Sequence, residues 1–134
     1  MKIYFAHSFR LRNTQTEKEL IEFLKQFGEV INPFDREDEL EAKFKAPYYA
    51  LDPPSIEYSR EIALNDLNLV SQSDIVVAYV SHAQVGTWFE VCHAIFNCGK
   101  KVYVISPQHS PFYFLDGITW IKNIENLKEV INEC

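Results

Sequence analysis

Two unbroken apolar runs, residues 75–80 (Ile-Val-Val-Ala-Tyr-Val) and 102–105 (Val-Tyr-Val-Ile), constrain this chain more than any other feature of it. A strand with one wet face alternates apolar and polar residues, so an unbroken run has to be covered on both faces and belongs in mid-sheet. Helical periodicity surrounds these runs. Leu20, Phe23, Leu24 and Phe27 recur at i, i+3, i+4 and i+7, Thr16 and Glu19 have capping-box spacing, and Gly28 stands where a C-terminal cap belongs. Residues 55–71, 86–97 and 123–133 read as further helices, with Cys98-Gly99-Lys100 closing the second of these; residues 3–6, 30–31 and 118–121 read as further strands. This alternation predicts an α/β fold: a doubly wound, flavodoxin- or Rossmann-like sheet of about five mostly parallel strands with helices on both faces. Ligands in such sheets bind beyond the carboxyl ends of the strands, so the loops after residues 6, 80 and 105 are where a site is expected. Residues 35–45 are acidic and weakly periodic, and residues 46–54, with three prolines, read as a loop over that site.

At 134 residues the chain has the length of one domain, and residues 1–134 are read as such, with no repeat or linker. Its composition, 47% apolar and 24% charged, is that of a packed globule. A net charge of −6 argues against nucleic acid as a partner, because that affinity comes largely from Lys and Arg neutralising phosphates; a small ligand with one phosphate is compatible with it. Cys92, Cys98 and Cys134 are odd in number and lack ligand spacing, which predicts reduced thiols, no zinc and a cytoplasmic setting. No signal-peptide core and no 18-residue apolar stretch is present, so no membrane association is expected. Neither GxGxxG after a strand nor GxxxxGK[ST] occurs, which removes the dinucleotide and P-loop readings.

What remains is a set of polar residues in unusual places. Asp66 lies on the helical stripe of Ala63, Leu67 and Val70 and so points to the core side, either to satisfy local backbone donors or as a proton donor or base-binding group. Glu90 follows Gly86-Thr87-Trp88-Phe89 just beyond a buried strand, where a ligand site is expected. Thr87-x-x-Glu90 is also a capping-box spacing, in which Glu90 would only bond the Thr87 amide. Glu90 and His93 make a single ExxH pair, too little for a di-iron site, and Trp88-Phe89 reads as packing. Asp74 reads as hydrogen-bonding its preceding turn, and Arg10 and Arg12 as phosphate candidates or solvated charges.

In order along the chain, Ile3-Tyr4-Phe5, Asn65-Asp66-Leu67-Asn68, Asp74-Ile75-Val76-Val77-Ala78, Val85-Gly86-x-x-x-Glu90 and Gly99-Lys100-x-Val102 resemble the pattern of the nucleoside 2-deoxyribosyltransferase family, including its relatives that hydrolyse 5′-monophosphates. The resemblance spans residues 3 to about 105. It implies that Glu90 is a nucleophile that attacks C1′ of a nucleoside or its 5′-monophosphate, that Asp66 assists the leaving base and that Tyr4 holds Glu90 by a hydrogen bond. The acceptor would be a second base or water. Ser8-x-Arg10 and the short loop over residues 81–85 lean to the hydrolases, as does the end of the chain one helix after the last strand, without the tail of typical transferases. Ser8, Arg10, Gln84 and Gly86 would contact substrate. Gln84 stands where transferases tend to carry Asp and the monophosphate hydrolases Ser, and Trp88 replaces a usual Gly. Family sites are completed by a neighbouring subunit, so a homo-oligomer is implied, with Asp116 near where the partner's residue is expected; no cofactor or metal is implied. The rival reading is a non-catalytic nucleotide-binding or signalling module on the same fold, toward which Gln84 and Trp88 would count as drift.

Overall fold

The structure, a computed structural model, describes residues 1–81 and 84–131. Five strands, β1 (Lys2–Ala6), β2 (Glu29–Ile31), β3 (Ile75–Tyr79), β4 (Lys101–Ile105) and β5 (Ile118–Ile121), form one sheet in the order β2-β1-β3-β4-β5, and every pairing is parallel. The unbroken apolar runs are β3 and β4, next to one another inside the sheet as double-sided burial requires. Alternate residues divide between two cores. Ile3, Phe5, Ile75, Val77, Tyr103 and Ile105 meet Leu20 and Leu24 of α1 (Gln15–Lys25) and Leu127 and Ile131 of α5 (Leu127–Ile131). Tyr4, Ala6, Val76, Ala78, Val102 and Val104 meet Val70 of α3 (Ile56–Gln72), Val91 of α4 (Val85–Cys92) and Ala94. Each fully buried aliphatic side chain contributes roughly 1.5–3 kcal/mol, so the two layers are held by the same residues that write the sequence pattern.

Several local expectations change. Helix α1 is capped by Thr14, not Thr16: Thr14 Oγ1 accepts from the Glu17 amide at 3.2 Å. Its C-cap is Gln26; Gly28 instead lets Met1 approach, since a Cβ there would collide with the Met1 carbonyl that accepts from the Glu29 amide. Residues 35–45 fold into a 3-10 turn, Pro33–Arg36, and helix α2 (Glu37–Phe44). Helix α3 begins at the Ser55 cap, whose hydroxyl accepts from the Tyr58 amide. Helix α4 is shorter than residues 86–97 suggest, because its last turn, His93–Asn97, widens into a π-helix before Gly99, at φ 62°, reverses the chain into β4. The final helix is α only over five residues, after a 3-10 turn at Ile124–Asn126, and residues 132 and 133 lie outside the described residues. Asp74 does not bond its preceding turn; its carboxylate accepts from the Lys2 amide at 2.6 Å and ties the start of β1 to that of β3. Among the described residues no helix is long and apolar enough to cross a membrane.

The chain leaves β1 toward β2 and leaves β3 toward β4, so the connections diverge above the β1/β3 pair. A crevice opens at that switch point, where the strand order reverses.

Candidate active site

A cavity of about 430 Å³ occupies this crevice. Gly86 and Glu90 of α4 and Asn65 and Asp66 of α3 form one end; Phe9, Phe34, Leu40, Tyr48, Tyr49 and Tyr58 form the other. Glu90 is only 9% exposed and Tyr4, on β1 beneath it, is fully buried. The capping-box alternative for Glu90 does not hold, because α4 begins at Val85 with Gln84 as N-cap, which puts Thr87 inside the helix and turns Glu90 inward. Loss of water around Glu90, and then the Asp66 charge, push its carboxyl up to about 8, against a smaller opposing pull from the Tyr4 hydroxyl. Burial likewise raises Asp66 to about 7, with Asn65 and Arg36 pulling it back. Tyr4 is raised well above the ordinary tyrosine value by burial and then by Glu90 and Asp66, so the three groups share one electrostatic environment. Tyr4 faces Glu90 closely enough to interact, yet the Tyr4 hydroxyl and Glu90 Oε2 have no well-aligned hydrogen-bond partner among the described residues. Two buried polar atoms left in this state cost stability, as is common where a ligand has to be met.

The family model described as "Nucleoside 2-deoxyribosyltransferase" matches residues 3–132. The chain belongs to the nucleoside 2-deoxyribosyltransferase family. This is a family of enzymes, and the parallel five-stranded fold agrees with solved structures. A 2-deoxyribosyltransferase from the psychrotolerant bacterium Bacillus psychrosaccharolyticus superposes with a TM-score of 0.68 at 19% identity, covering 96% of this chain and 90% of that one. The Clostridium botulinum CMP N-glycosidase BcmB superposes with a TM-score of 0.56 at 16% identity, covering 99% and 97%. No curated protein sequence matches the chain.

Within this nucleoside 2-deoxyribosyltransferase fold the residues singled out in the sequence part company. Asp66, Glu90 and Gly86 line the cavity, and Tyr4 lies directly behind Glu90. A Cβ on Gly86 would meet nothing within 4 Å, so the glycine serves the space in front of α4 and not the backbone. Ala63 and Leu67 share the cavity wall with Asp66, so the upper part of that stripe faces the site and only Val70 reaches the core. Ser8 is buried and its hydroxyl accepts from the Arg10 amide at 3.0 Å, fixing the turn after β1, while Arg10 is exposed; neither lines the cavity. Gln84 is half-buried at the α4 cap beside a smaller hollow with Val85, Trp88 and Phe89. Trp88 stacks on Tyr113 at 5.6 Å, a packing role. Asp116 is exposed beside Gly117, whose carbonyl meets the start of β4, at the amino edge of the sheet away from this chain's cavity. Glu90 and His93 separate, the former facing the cavity and the latter bonding Ser71 and Asn97 at 2.9 and 3.0 Å. Residues 82 and 83 of the short loop lie outside the described residues.

Periodicity missed two features. Arg12 pairs with Glu37 across the cavity rim and lies 4.1 Å above the Phe9 ring, which makes it structural and not a free phosphate ligand. Behind the rim, His7 is buried with Nδ1 2.8 Å from the Phe5 carbonyl and Nε2 2.6 Å from Glu17. A carbonyl only accepts, so Nδ1–H donates to Phe5 and leaves Nε2 to meet the Glu17 carboxyl. Glu17 also accepts from the Asn13 amide, so this pair anchors the whole turn between β1 and α1. The edge of Phe34 packs on His7 at 4.9 Å, linking the anchor to the cavity wall.

Proposed function

We propose that this chain cleaves the N-glycosidic bond of a (2′-deoxy)nucleoside or its 5′-monophosphate through a glycosyl ester on Glu90, and passes the sugar to a second base or to water. The observation that carries the reading is the pair of carboxyls, Glu90 buried and Asp66 half-buried, raised to about 8 and about 7 where they line one cavity, in a chain of this family. A Glu90 carboxylate oxygen attacks C1′, the C1′–N bond breaks with its electron pair going to the base, and Asp66 supplies the proton that the base takes away. The acceptor then attacks C1′, the ester breaks, Glu90 regains its carboxylate and Asp66 recovers the acceptor's proton. Near neutral pH the pair retains a proton, which this cycle needs, and the Tyr4 hydroxyl favours its leaving Glu90.

Gly86 leaves room for the sugar in front of α4; Ser8 and Arg10, on either side of cavity-lining Phe9, and Gln84, at the α4 cap, would meet substrate only at the cavity's edge, with Arg10 there for a 5′-phosphate. A homo-oligomer is part of this proposal: Val85 and Phe89, at the cavity rim on α4, are 76% and 67% exposed, and Leu64 of α3 is exposed as well. Exposed apolar side chains at a site's rim favour a cover, and a second copy would supply it and bring Asp116 toward its neighbour's mouth. Incubating the protein with a panel of nucleosides and 5′-monophosphates, with and without a second free base, tests the reading by product analysis. Free sugar or an exchanged nucleoside supports it; ligand binding with neither product would favour the non-catalytic module.

A further inference from the structure

The two ends of the cavity differ in kind. At the carboxyl end Asp66 and Glu90 are available to a ligand. At the far end the polar groups of Tyr48, Glu37 and Tyr58 already have partners within the protein. The Tyr48 hydroxyl lies 2.7 Å from Ser59 Oγ, which itself donates to the Ser55 carbonyl at 2.6 Å. Glu37 is paired with Arg12. The Tyr58 hydroxyl, on a residue 1% exposed, meets the Tyr48 backbone. What this end offers is carbon: the faces and edges of Phe9, Phe34, Tyr48 and Tyr58, with Leu40 and Ile62. Phe9 and Tyr49 tilt together at 4.6 Å, and Phe44 backs Tyr58 by stacking at 4.2 Å, so the wall is braced.

A base whose polar edge enters this end loses water and meets mostly carbon, with the Tyr48, Tyr58 and Glu37 polar groups already engaged by the protein, a cost that an apolar substituent on that edge removes. We propose that the substrates of this site are nucleosides whose base carries an apolar group, an alkyl or aryl substituent directed at the Phe34, Leu40, Ile62 and Tyr58 wall. This rests on the reading of the cavity as a nucleoside site, with the sugar at Glu90. Sites that identify a base by its hydrogen-bonding edge reject analogues lacking the matching group; this wall discriminates by contact area.

The test separates this inference from the proposed reaction. Binding of two series is measured by calorimetry to the Glu90→Gln protein, where chemistry is suppressed: 2′-deoxyuridines bearing hydrogen, methyl, ethyl and propyl at C5, and purine 2′-deoxyribosides bearing methylamino to propylamino at C6. In at least one series each added methylene should tighten binding about four-fold, and KM of the wild-type protein should fall in parallel. Phe34→Ala and Ile62→Ser, checked for intact thermal unfolding, should each make the gradient shallower. Flat or weakening series in both scaffolds, a gradient unchanged in both variants, or no binding of any member overturns the inference. Tightening without turnover in the wild-type protein leaves it standing and removes the reaction instead; turnover with flat series does the reverse.

Discussion

Replacing Glu90 by Gln changes no volume, yet it should make the protein more stable in alkaline solution while abolishing turnover. Glu90 is 9% exposed, and its carboxyl rises from an ordinary 4.5 to about 8 in the fold. A raised folded-state value means that the folded chain binds more protons than the unfolded one between those limits. Stability is therefore fully present below pH 4.5 and is lost as pH rises through about 8, at up to ~1.4 kcal/mol per pH unit for this group. The whole interval corresponds to at most roughly 5 kcal/mol, and coupling to Asp66 argues for an expected gain of about 2–4 kcal/mol. The amide is neutral at every pH and escapes this loss. Urea unfolding of both proteins at pH 4 and pH 9 should give a difference near zero in acid and about 2–4 kcal/mol in favour of Glu90→Gln in alkali. The same variant should lose turnover, because an amide does not form the glycosyl ester, and a trapped sugar adduct on the wild-type protein should map to Glu90. Equal stability at pH 9 would place Glu90 in water and refute the burial argument; wild-type turnover in a folded Glu90→Gln protein would refute its role as nucleophile.

The proposed reaction uses Glu90 ionised and Asp66 protonated, so kcat/KM should follow a bell with limbs near pH 7 and 8; a profile flat from pH 5 to 10 would contradict this. Asp66→Asn should lower turnover by ~10²–10⁴-fold, abolish the alkaline limb and move the acid limb downward, since the Asp66 charge helps to raise Glu90. Glu17→Ala removes both the bridge to His7 and the acceptor of the Asn13 amide and should cost about 1–3 kcal/mol in urea unfolding; an unchanged midpoint would show that the turn after β1 stands without it. In the proposed homo-oligomer, Phe89→Glu places a charge on the exposed cavity rim of α4 and should leave the chain folded but lower the mass seen in light scattering; an unchanged oligomeric mass would locate the contact elsewhere, and a monomeric wild-type mass would remove the homo-oligomer.

The sheet was readable in the chain because burial on two faces leaves a compositional mark: Ile75 to Val80 and Val102 to Ile105 had to be inner strands, and the order of elements then left few topologies. The site was only half readable, because its deciding variables are not periodic. Thr87-x-x-Glu90 fits a capping box or an inward acid equally well, and the choice turns on whether α4 starts at Val85 or three residues later, which depends on how the chain leaves β3. Thr16, read as a cap from its spacing to Glu19, gives way to Thr14 where Glu17 also turns to His7, a contact between segments that spacing cannot anticipate. The aromatic wall comes from Phe9, Phe34, Tyr48 and Tyr58 on four separate connections or helices, and nothing local marks them as neighbours. These cases have one physical origin. Burial on a regular element is set by the element's own repeat, whereas the environment that raises Glu90 is built by Tyr4, Asp66 and Glu90 from β1, α3 and α4 at once. Its chemistry therefore follows from where the sheet reverses its winding: only there do a β1 tyrosine and the first turns of the helix after β3 face a common space from which water is withdrawn.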